Sequence, residues 1–136
     1  MSHYSIYKTQ FVSAEHLVQA LNDMGFNQVN VYDKPVQLEG WLGDQRKNRA
    51  EIVIPRHFIS SASNDMGFKL NAEGSYEAII SDYDRGQRLD QNWLNKLTQR
   101  YAYHVAIDML QQQDFQLIEE INNEDQTIHL SLRRMA

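Results

Sequence analysis

The chain contains no cysteine. Disulfides, thiolate nucleophiles, cysteine-ligated zinc and iron–sulfur clusters are therefore excluded. Two prolines and six glycines in 136 residues are too few for a collagenous, low-complexity or disordered chain. Glycine is also too sparse for a phosphate-cradling loop, and neither Gly40 nor Gly43 precedes a Lys-Ser/Thr pair or a helix start. No Gly-x-Ser-x-Gly elbow occurs. No stretch approaches the roughly 18 apolar residues of a membrane-spanning helix. The opening Met1-Ser2-His3-Tyr4 has no basic region leading into an apolar run, so no signal peptide is expected. Positive charge is in deficit: 13 Lys and Arg stand against 18 Asp and Glu, a net charge of −5. That balance argues against a general nucleic-acid binder.

What is present suits one globular α+β domain spanning residues 1–136. Apolar residues make up 42% of the chain, and a chain this long buries about two-thirds of its unfolded surface. Tyr4 to Phe11 alternates with β-branched and aromatic content and predicts a strand. Ser13 stands at an N-cap position, followed by Ala14, Leu17, Val18, Leu21 and Met24 at helical spacing. Gly25 is positioned for a left-handed cap, with Phe26 folding back onto Leu21. Both ends of the first helix are thus marked.

Strand-like runs follow. Asn27 to Tyr32 and Val36 to Leu42 alternate on either side of a turn at Asp33-Lys34-Pro35. Gly43 to Arg49 forms a polar tip, and Ala50 to Ile54 is a strand that Pro55 confines to an edge or an end. Ser60 to Asp65 reads as a loop. Gly67 to Asn71 and Tyr76 to Asp82 pair around a turn at Ala72 to Ser75. Asp84 to Asp90 is a polar connector ending in the cap of a long helix from about Gln91 to Gln113. A final hairpin joins Gln116–Ile121 to Thr127–Arg133 through Asn122 to Asp125. The expected architecture is a mainly antiparallel sheet of about six to eight short strands with two helices, the longer one near the C-terminal hairpin.

Few constellations carry chemistry. None of His3, His16, His57, His104 and His129 has a partner at a recognised metal spacing. The residues therefore call for no metal and no cofactor. Arg46, Lys47 and Arg49 make a basic tip beside Trp41, the arrangement of a single-strand binder, although three cations on a turn are most simply a solvated tip. Nucleic acid is accordingly not the expected partner. On the long helix, Arg100, His104 and Asp108 are successive i, i+4 neighbours, so Asp108 could orient His104 as a proton carrier. No nucleophile or oxyanion-binding element accompanies them. The apolar stripe Leu94, Leu97, Tyr101, Val105 and Met109 should be buried against the sheet. Tyr103, Ile107 and Leu110 lie on the opposite side, either as further core or as an apolar patch that receives a partner.

Several segments together are similar to one family. They are Met1-Ser2-His3-Tyr4-Ser5 with Lys8-Thr9-Gln10, Gly40-Trp41, Met66-Gly67-Phe68, Leu97 to His104 and Leu130-Ser131-Leu132-Arg133-Arg134. The chain resembles, over nearly its whole length, the hypothetical chloroplast reading frame thirty-five family, small proteins of unknown function from cyanobacteria and algal plastid genomes. Asp114 departs from the glycine expected before Phe115. The resemblance implies cyanobacterial cytoplasm or chloroplast stroma, and it transfers no catalytic residue.

Two functions follow as expectations. The first is a non-catalytic accessory or adaptor protein serving photosynthesis or its regulation. It would meet an unidentified protein partner through Trp93, Arg100, Tyr103, His104, Ile107 and Leu110. The second is a small enzyme or ligand-binding protein, its ligand unspecified, with a pocket around Arg100, Tyr101 and His104.

Overall fold

A computed structural model describes residues 3–113, 115–122 and 128–134. Strands β1 (Tyr4–Lys8), β2 (Asn30–Glu39), β3 (Gln45–Ile54), β4 (Met66–Leu70) and β5 (Tyr76–Ser81) form one antiparallel sheet in the order β1-β5-β4-β3-β2. Two helices, α1 (Ala14–Asp23) and α3 (Gln91–Gln112), pack together on one face of it, and a short helix α2 (Asp82–Gln87) precedes α3. Strands β6 (Phe115–Asn122) and β7 (Ile128–Arg134) pair as a separate two-stranded sheet. The strands expected in one sheet are therefore divided between two. The turn residues Asn123, Glu124 and Asp125, and also Asp114 and Thr127, lie outside the described residues.

Local signals explain the helices. The Ser13 side chain accepts from the His16 N–H at the start of α1. At its end Gly25 takes φ +98°, the Phe26 N–H donates to Leu21 O, and the Gly25 N–H donates to Asn22 O. That pair of bonds satisfies carbonyls the last helical turn would otherwise leave open. Asp90 caps α3 by accepting from the Trp93 N–H. Residues 84–90, read as a connector, are partly helical instead. Ser81 caps α2 and donates to the buried Asp84 carboxylate, which also accepts the Asn64 N–H. A tertiary bond thus holds a segment that lacks an apolar stripe.

The core lies between the helices and the sheet. Leu17, Ala20 and Leu21 of α1 and Leu94, Leu97 and Tyr101 of α3 meet Ile52, Ile54, Met66, Phe68, Ala78 and Ile80. The other face carries a smaller cluster of Leu38, Ala50, Val53 and Ile79. It forms because the β2–β3 hairpin bends. Asp33-Lys34-Pro35 does not end a strand: β2 runs through, with Tyr32 to Pro35 bulging opposite Glu51 between the pairs Val31–Ile52 and Val36–Ala50. The bend brings Leu38 and Ala50 onto Gly67, where a Cβ would stand 2.5 Å from the Ala50 Cβ. Only glycine admits that approach.

The Ser60–Asp65 loop is partly buried rather than a solvated connector, with Ser63, Asn64 and Asp65 inside. Asp65 accepts backbone N–H groups of Glu39 and Arg56, both at 2.8 Å. Asn64 Oδ1 accepts from the Trp41 N–H and from Arg46. Burial raises the Asp65 carboxyl above its ordinary value, against the two N–H bonds that favour its charge. Burial, and then the Asp65 charge, push the Tyr4 hydroxyl far above the usual tyrosine value, and that hydroxyl donates to Asp65 O at 2.6 Å.

Candidate docking site on the long helix

Burial along helix α3 decides what its side chains can do. Leu94, Leu97 and Tyr101 are buried and Val105 packs against the core, as the stripe predicts. Met109 does not follow: it is 56% exposed. Trp93, expected on the interaction surface, is 7% exposed and packs edge-on against Phe26 at 6.0 Å. It belongs to the core. Tyr103, Ile107 and Leu110 are all half-buried, neither enclosed nor open.

Three polar residues of α3, Arg100, His104 and Asp108, meet partners on α1. Helices α1 and α3 run antiparallel, and Asp23 at the end of α1 accepts from Arg100 Nε at 2.8 Å and meets His104 Nε2 at 2.6 Å. Both contacts reach the same oxygen, Oδ2. The Arg100 guanidinium lies 4.3 Å from the Tyr103 ring centroid, and Tyr103 stands edge-on to His104 at 5.1 Å. Asp108 does not pair with His104. It meets His16 Nε2 across the helix pair at 3.1 Å. Side chains one turn apart on α3 can meet, but Asp23 and His16 offer partners where the helices face each other.

Tyr101 points elsewhere again. Its hydroxyl accepts the Val12 and Ser13 N–H groups at 2.9 and 3.0 Å, anchoring the start of α1. Arg100, Tyr101 and His104 therefore do not converge on one cavity. Among the described residues, no group of three or more His, Asp or Glu side chains is placed to hold a metal ion. None of the helices is long and apolar enough to cross a membrane, again among the described residues. At the basic tip, Trp41 is partly exposed and Lys47 and Arg49 face solvent. Arg46 instead pairs with Asp44 at 3.0 Å and lies over the Tyr4 ring.

A groove on α3 differs from the pocket expected around Arg100, Tyr101 and His104, and of those three residues Tyr101 alone lines it. Tyr101, Ala102, Val105, Ala106 and Met109 of α3, with Phe11, line a largely apolar trough of about 280 Å³. A second trough of about 300 Å³ between α3 and strand β1 shares Thr98 in its lining. The sequence carried a signal for the first trough. Ala102, Val105, Ala106 and Met109 recur at i, i+3, i+4 and i+7, a stripe beside the one assigned to the core. His16 and Asp23 carried one too, since seven residues apart they share the α1 flank that faces Arg100, His104 and Asp108.

The arrangement is an α+β scaffold, two ion-paired helices on one side of an antiparallel sheet, with an apolar groove along α3. The chain belongs to the family described as "Protein of unknown function (DUF1257)", which residues 20–131 match. It is 33% identical to the "Uncharacterized protein ycf35" of Guillardia theta, the match covering 98% of both chains. It is also similar to proteins of the same description from Pyropia yezoensis, at 28% identity, and Cyanophora paradoxa, at 27%, each over 98% of both chains. A plastid or cyanobacterial origin fits these relatives. No solved structure matches the chain.

Proposed function

We propose that this protein is a non-catalytic accessory or adaptor protein that docks a protein partner through α3 and the neighbouring strand β1. It serves photosynthesis or its regulation in cyanobacterial cytoplasm or chloroplast stroma, the compartments its family resemblance implies. The observation that carries the docking reading is the apolar groove ending at Met109, whose exposure has no role in the core. A large exposed apolar side chain beside an apolar trough supports a binding surface. Tyr103, Ile107 and Leu110 adjoin it around the helix and extend the surface with Arg100 and His104 at its rim. Trp93 serves the same helix from inside the core.

The catalytic alternative draws less support, because Arg100 and His104 are held by Asp23 while the Tyr101 hydroxyl caps backbone N–H groups. The test is affinity capture from a cyanobacterial or plastid extract with wild-type protein and Met109→Asp as parallel baits. A reproducible partner, identified by mass spectrometry and lost with Met109→Asp at unchanged melting temperature, is the expected result. Equal recovery on both baits, or no reproducible partner, would overturn the reading.

A further inference from the structure

Among the described residues, strand β1 lies at one edge of the sheet and pairs only with β5. Its register is unbroken from Tyr4–Ser81 to Lys8–Glu77, and the Asp82 N–H donates to His3 O. In an antiparallel pair the residues whose amides face the partner alternate with those whose amides face away. With His3 turned towards β5, Ser5 and Tyr7 turn the same way. The backbone groups of Ile6 and Lys8 then face outward, where no strand of the described residues meets them.

A trough adjoins this edge. Ile6 to Thr9 form one wall, and Gln91, Leu94 and Thr98 of α3 form the other. Thr98 also lines the apolar groove that ends at Met109. Gln91 also lines a third space of about 490 Å³, together with Asp82, Arg85, Gly86 and Asp90. From Gln91 to Met109 the helix runs about 27 Å at 1.5 Å per residue. That length holds about eight residues of extended chain at 3.3 Å each.

The two ends differ in chemistry. One is apolar. The other has two exposed carboxylates, Asp82 and Asp90, while the Arg85 guanidinium beside them lies 4.9 Å from the Tyr7 ring centroid. The excess of carboxylate there complements a basic side chain. Ile6, 57% exposed in mid-strand, pairs with Ile79 and so turns its side chain to the sheet face away from α3, where it can meet a same-face side chain of an added strand.

We infer that the trough takes an extended partner segment, with an apolar residue at one end and a basic residue at the other, as an additional strand against β1. This rests on the docking reading and names the form of its ligand. Backbone groups of Ile6 and Lys8 supply the affinity of strand addition, and the two ends supply its selectivity. A bare edge of this kind invites pairing with another chain, and the wall of α3 restricts what can reach it.

The probe is a displayed library of random peptides of about nine residues, slightly longer than the trough. Selected peptides are remade with N-methyl groups on either alternate set of amides. Methylation of the set facing β1 should weaken binding about tenfold or more, and methylation of the other set should leave it within about twofold. Ile6→Pro removes an outward N–H while keeping the β5 bonds, and it should weaken the same peptides at unchanged melting temperature. Selected sequences should carry Lys or Arg at one end and an apolar residue at the other. Peptides that require Met109 but tolerate both methylation patterns would overturn strand addition and leave the groove as a docking site. A library that yields no binder competing for the trough would overturn strand addition as well, while the extract experiment judges docking separately.

Discussion

His104 Nε2 stands 2.6 Å from Asp23 Oδ2, joining residues 81 positions apart in the chain. Arg100 reaches the same oxygen, so one carboxylate at the end of α1 gathers two donors from consecutive turns of α3. All three side chains are partly exposed, which moderates the strength of the cluster.

Removing that carboxylate should loosen the helix pair. Asp23→Asn should cost about 1–2 kcal/mol in urea denaturation, as expected for charge-assisted bonds weakened by solvent. A double-mutant cycle with His104→Ala should show coupling, because each substitution removes the same contact. Additive losses would mean that the pair contributes nothing to stability.

Gly67 is predicted to be intolerant of any side chain. Its Cβ position lies 2.5 Å from the Ala50 Cβ and 3.1 Å from a Leu38 methyl carbon. Gly67→Ala should cost about 1–3 kcal/mol through overpacking. Ala50→Gly in that background should recover part of the loss, since it removes the atom in closest contact. Thermal melts of the single and double variants check this.

The stripe of α3 should divide by position rather than by residue type. Leu97 is fully buried, so Leu97→Ala should cost about 2–5 kcal/mol through lost transfer energy and a residual cavity. Met109→Ala, near the end of the same stripe, should stay within about 0.5 kcal/mol. Equilibrium unfolding of both variants reads the difference directly.

Asp65 should make stability depend on pH. Its carboxyl is raised above the model-peptide value of 3.8, chiefly by burial. Between that value and its folded value, the native state binds more protons than the unfolded chain. The stabilisation contributed by the protonated form is therefore complete below 3.8 and is lost as pH rises through the folded value. Wild type compared with Asp65→Asn across that acidic window should show a stability difference that shifts against the wild type as pH rises. A pH-independent difference would contradict this.

Much of the local structure was legible because its causes are local. Ser13 and Asp90 are short acceptors placed to cap orphan N–H groups, and Gly25 accepts the positive φ that ends α1. Where local signals were weak, reading failed. Pro35 suggested a turn, yet pairing on either side of the bulge carries β2 through it. Residues 84–90 lack apolar periodicity, and α2 forms under the hold of Ser81 and Asn64. The candidate site was read only in part for the same reason. The i, i+4 spacing on α3 was visible, whereas the partners from α1 were not, because nothing local states which helix flank another helix will meet.

By itself, then, the sequence determined where the helices begin, which face of each is apolar and where most strands lie. These follow from capping, periodicity and alternation, all acting within a few residues. Only the tertiary structure decided that Asp23 rather than Asp108 meets His104, that Trp93 is core and Met109 is surface, and that β1 faces a trough. Those outcomes depend on how the two helices dock on each other and on the sheet, and both are settled by packing between residues far apart in the chain.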